Sequence, residues 1–202
     1  MLASDSLLGL VVAVNAFRRA ELLDRLDADE DSVPMSDLDF SDLVDTTLSY
    51  VRTGVFLICA LAFVLWLYRV KRNADRLMPQ GHRHHWLWAL FGWVVPIVWW
   101  WIPKHVVEDV WNTSHPGEYR ARRKPLLIVG WWTAFLLASL LAAVVRTRAF
   151  TGQDWGVQAA ATRAGVWVAA LYLIAAALAV PIILRITAFQ DERDEAPVYS
   201  AR

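Results

Sequence analysis

The sequence predicts an all-α integral membrane protein: a helical bundle with three secure spans, a short proline-interrupted tryptophan-rich segment and a candidate N-terminal membrane helix. Three observations point there. Hydrophobic residues make up 57% of the 202, above the roughly 45–50% usual for soluble domains, and a soluble core of this size does not hide that much apolar surface. Three runs, 48–68, 126–145 and 164–184, reach the roughly 20 apolar residues a spanning helix needs. Seven of the twelve tryptophans fall within 86–111, and tryptophan favours the membrane–water boundary, where its ring is apolar and its N–H stays wet.

Residues 1–47 form an acidic N-terminal region with eleven acids and three bases, in a chain of zero net charge. Its apolar run 7–17 is too short to span unaided and lacks the basic start and small-residue cleavage site of a signal peptide. Leu22, Leu23 and Leu26 continue the apolar face, so 6–26 reads as one helix. The stretch 27–47 reads as a linker or extramembrane loop. Within it, Asp37, Asp39, Asp42 and Asp45 alternate with Leu38, Phe40, Leu43 and Val44, enough for a short amphipathic helix leading into the first span.

The membrane domain is expected over 48–190. Arg52 lies one turn inside the first span and snorkels to the headgroups, and Arg69, Lys71 and Arg72 stop that span. Cys59, the lone cysteine, excludes an internal disulfide and reads as a small buried hydrophobe. Small residues such as Ala138, Ser139 and Ala142, and Ala169, Ala170 and Ala175, suit close helix packing in the second and third spans.

The segment 86–102 differs. Seventeen residues make about 25 Å of helix, short of a roughly 30 Å hydrocarbon core, and Gly92 and Pro96 interrupt it. It is either a short kinked span or a re-entrant segment that enters and leaves by one face. If it re-enters, 69–85, 103–125 and the C-terminus share one side with thirteen bases, against six on the side of the acidic head. That division fits the positive-inside rule better than a crossing does. It places the C-terminus and both loops in the cytoplasm and the protein in the plasma membrane. Residues 103–115 read as a helix along the membrane surface, started by Pro103, with Val106, Val107, Val110 and Trp111 on one face and Lys104, Glu108 and Asp109 elsewhere. The tail 191–202 is polar.

The ordered series Trp66-Leu67-Tyr68-Arg69, Asn73-Ala74, Leu77, Trp88, Gly92-Trp93-Val94-Val95-Pro96-Ile97, Trp101-Ile102-Pro103 and Asp109-Val110-Trp111, then Trp131-Trp132, resembles the bacterial membrane-protein family catalogued as domain of unknown function 4328 (DUF4328). The resemblance covers roughly 45–190 and implies several membrane helices, with no activity to transfer. It also implies a longer hydrophobic helix at the start than 7–17, hence a fourth span or a start site set too far downstream. Where the family tends to have Asn-Leu-Trp-Arg-Pro, this chain has Trp99-Trp100-Trp101-Ile102-Pro103.

Candidate chemistry is sparse. Arg69, Arg72, Asn73 and Arg76 form a stripe at i, i+3, i+4, i+7, suited to anionic headgroups or simply to anchoring the helix end. Trp93, Pro96, Trp101, Pro103 and Trp111 complete the expected lipid- or partner-binding set. His105, Glu108 and Asp109 share a helical face and are a weak metal candidate, because they lack the His-Glu-x-x-His order of zinc enzymes. No catalytic residue and no cofactor is expected, and nothing resembles a nucleic-acid-binding motif. No charge lies deep in the second or third span, which argues against a monomeric transporter. The expected role is a non-catalytic module that binds lipid or a protein partner. The alternatives are a pore or transport subunit of a homo-oligomer and, more weakly, a metal-dependent membrane enzyme.

Overall fold

A computed structural model describes residues 2–29, 33–77, 84–93, 95, 97–115, 126–152 and 154–195. The expectations placed on Pro96 and the tail beyond 195 lie outside them. The described residues form helices and no strand: α1 (Leu2–Ala28), α2 (Met35–Leu77), α3 (Trp88–Phe91), a 3-10 turn (Val98–Trp100), α4 (Ile102–Ser114), α5 (Leu126–Thr151) and α6 (Trp155–Glu195). Three of them, α2, α5 and α6, are long and apolar enough to cross a membrane.

The helices outrun the apolar runs. α1 surrounds the expected 6–26. α2 begins at Met35, just after Pro34, and Asp37 in its first turn complements the helix dipole. The acidic stretch 37–45 is therefore the start of α2 and not a separate short helix, because no breaker separates it from the apolar run. No residue in the most apolar eighteen of α2 is buried, as a lipid-facing surface requires. Cys59 is exposed there, contrary to the expected burial, since no other part of the chain covers that stretch of α2. Pro181 sits inside α6, which a membrane helix tolerates when neighbours re-satisfy the freed carbonyl.

The chain divides into two compact units, Met1–Leu57 with Ala134–Leu173, and Ile58–Thr133 with Ile174–Arg202. In the first, Ala20, Leu23, Leu26, Val33 and Ala159 form a buried cluster. Arg19 pairs with Asp42 at 2.6 Å, Arg163 pairs with Asp24, and the Gly156 N–H donates to Asp27 Oδ1 at 3.1 Å. Asp27 thus caps the start of α6 from another helix, where a carboxylate suits the dipole.

In the second unit Leu67, Val70, Ala74, Ile128, Ile182 and Ile186 are buried. Gly92 lets α3 approach α4: a Cβ there would lie 2.8 Å from Ile102 Cγ2 and 2.6 Å from the Trp88 carbonyl oxygen. Ten of the thirteen residues of α4 are buried, Glu108 and Asp109 among them. The helix is enclosed and does not lie on a surface with its acids turned outward.

Candidate functional site

The site is built on the second unit, where the apolar run of α2 gives way to bases. Arg69, Arg72, Asn73 and Arg76 are all exposed, and helical spacing puts them on one face. With Tyr68 they line a shallow cleft of about 320 Å³. Arg72 is the ordered member. Its Nη1 donates to the Tyr68 hydroxyl at 3.0 Å, and its guanidinium carbon lies 5.8 Å from the Tyr68 ring centre and 5.9 Å from that of Trp86. The two rings meet edge to face at 5.6 Å. Such cation–π contact both attracts and orients a guanidinium.

Among the described residues no acid lines this cleft. Asp75, the carboxylate nearest in sequence, is turned to Lys71, whose ammonium it meets at 2.8 Å. Lys71 is wholly buried, so it does not belong to the exposed basic stripe. Among the described residues no ion pair involves Arg69, Arg72 or Arg76.

Behind the cleft lies a buried polar knot. Gln190, 5% exposed, comes from α6. Its Nε2 donates to the Val70 carbonyl of α2 and to Ser114 Oγ of α4, each at 2.9 Å. Its Oε1 accepts from Asn73 Nδ2 at 3.4 Å. Arg193 Nη2 donates to the His115 carbonyl at 2.7 Å. Three helices are thereby joined at one level, and the satisfied amide avoids the cost of burying an unpaired polar group.

The tryptophan candidates part company. Trp93 packs between Phe63 (5.8 Å) and Trp132 (6.0 Å), and Trp132 donates its Nε1–H to the Trp100 carbonyl at 2.9 Å. Trp111 is 7% exposed and meets Phe189 edge to face at 5.3 Å. Pro103 is buried in the first turn of α4. Trp100 and Trp101 keep 38% and 45% of their surface, so they alone of this group have the exposure of interface anchors. The motif residues Trp66, Asn73, Ala74, Trp93, Asp109, Trp111, Trp131 and Trp132 all belong to this one unit.

His105, Glu108 and Asp109 do not assemble into a metal site. No group of three His, Cys, Asp or Glu side chains among the described residues is arranged to hold an ion. His105 instead stacks parallel on His84 at 5.7 Å, and Glu108 pairs with Lys104 at 3.3 Å.

Tyr68, Trp86, Lys71 and Gln190 are absent from the sequence-derived set. Tyr68 precedes the stripe by one residue and carried a signal in that spacing. Gln190 carried none, since a glutamine after a span reads as the start of a polar tail.

A family model described as Domain of unknown function (DUF4328) matches residues 29–191. No curated protein and no solved structure matches the chain.

Proposed function

This chain belongs to the DUF4328 family, and we propose that it is a multi-pass, non-catalytic membrane module that engages anionic headgroups through the α2 cleft. The observation that carries this reading is the cleft itself: three exposed guanidinium groups, no acid among its described lining residues, and a position one residue past the aromatic end of the apolar run. A base near a charged leaflet contributes about 1 kcal/mol, and arginine forks match phosphate oxygens better than a point charge does.

In this reading 86–102 dips into the bilayer and returns. The hydrogen bonds of Gln190 support it. If 86–102 crossed, the C-terminal ends of α2 and α6 would face opposite sides, and Gln190 could not reach the Val70 carbonyl at 2.9 Å. The broken backbone supports it too, with a four-residue α3 and a three-residue 3-10 turn where a span would need a continuous helix. The thirteen-to-six division of bases supports a cytoplasmic position of this face in a plasma membrane.

The test uses spin-labelled lipids in bilayers holding the full chain. Spin-labelled phosphatidylglycerol should show a larger motionally restricted fraction than phosphatidylcholine. The excess should shrink at about 1 M salt, where the Debye length is about 3 Å, and in the R69Q/R72Q/R76Q variant. Equal fractions for the two lipids, or an excess untouched by the triple variant, would overturn the assignment.

A further inference from the structure

We propose that the α2 cleft selects a phosphomonoester, a terminal phosphate carrying nearly two charges, over the singly charged phosphodiester of common anionic headgroups. The inference rests on the reading above that this cleft meets headgroups, and it deepens that reading by naming the chemistry preferred.

Charge is the first ground. Arg69, Arg72 and Arg76 bring three positive charges to one cleft, and no carboxylate is among its described lining residues. Asp75, the carboxylate nearest along the helix, meets buried Lys71 at 2.8 Å and is not among the described lining residues. A diester leaves that cleft under-neutralised. A monoester, at about −1.5 to −2 near pH 7, matches it more closely and offers three terminal oxygens to forked donors instead of two.

Preorganisation is the second. Arg72 is held before any ligand arrives, by the Tyr68 hydroxyl and by the rings of Tyr68 and Trp86. Less side-chain entropy is then lost when it grips an anion. Its flanking guanidiniums, one turn to either side at Arg69 and Arg76, complete a three-sided set of donors.

A lipid headgroup and a soluble phosphate share this chemistry, so the experiment has an arm for each. The full chain in neutral detergent micelles is titrated with dioctanoyl phosphatidate, with dioctanoyl phosphatidylglycerol, and with inorganic phosphate. Phosphatidate should bind about tenfold more tightly than phosphatidylglycerol, as about 1.4 kcal/mol of added charge attraction predicts. Inorganic phosphate should compete with phosphatidate, weakly if the lipid is the source and equally if the soluble ion is; either upholds the monoester preference.

Arg72→Lys, which keeps the charge and loses the fork, should bring the two lipids to within about threefold. Arg185→Gln, a base removed outside the cleft, should change neither. Helix content and melting temperature of each variant separate lost binding from lost folding. Equal affinity for the two lipids, abolished in R69Q/R72Q/R76Q, would overturn the monoester preference and leave the anionic-headgroup reading standing. Binding of both lipids unchanged in that triple variant would overturn the two together.

Discussion

Gln190 shows how much one buried side chain can organise. Its amide joins Val70 of α2, Ser114 of α4 and Asn73 of α2. Gln190→Ala would leave the buried Ser114 hydroxyl short of a partner and open a cavity, a loss of about 1–3 kcal/mol. Thermal or denaturant melts in detergent should show it, and loss of the Asn73 contact should loosen the cleft as well. A variant as stable as the parent would mean the knot contributes little. The arginine stripe was legible in the sequence because i, i+3, i+4, i+7 spacing is a local property of one helix. Gln190 was not, because its role depends on three segments separated by 76 to 120 residues. The charge of Lys71 was legible and its burial was not: a base at a span end has the same pattern whether it meets headgroups or Asp75.

At the scale of elements, apolar runs measured bilayer thickness and not helix length. The run 48–68 marks the part of α2 that needs lipid, yet α2 has 43 residues, about 64 Å at 1.5 Å each, twice a hydrocarbon core of about 30 Å. Hydrogen bonding continues until a proline or a loop stops it. For α4 the start signal at Pro103 was legible, while the enclosure of Glu108 and Asp109 was not, because what covers α4 comes from elsewhere in the chain. The join of α3 to α4 depends on Gly92. Gly92→Ala would press a methyl group against Ile102 Cγ2 and the Trp88 carbonyl, costing about 1–3 kcal/mol. Gly54→Ala, where no heavy atom lies within 4 Å of the added carbon, should instead be neutral or stabilising by up to about 1 kcal/mol. Melting temperatures of the pair check this, and equal shifts would refute close packing at Gly92.

For the whole molecule, hydropathy marked three helices long and apolar enough to cross a membrane, and charge counting underlies the proposed division of its loops between two sides. The proposed re-entrant path joins these with the Gln190 contacts: it would put 69–77, α4 and the end of α6 at one headgroup surface, with the cleft opening there. The most direct measurement is cysteine accessibility in a Cys59→Ser background. Single cysteines replace Arg76, Asn112 and Glu192 and are labelled with a membrane-impermeant maleimide in intact cells and again after permeabilisation. The re-entrant path predicts that all three share one pattern, protected in intact cells and labelled after opening. Labelling of the residue 112 cysteine from the face opposite the residue 76 cysteine would show that 86–102 crosses the bilayer, and would contradict a common surface for the cleft, α4 and Gln190.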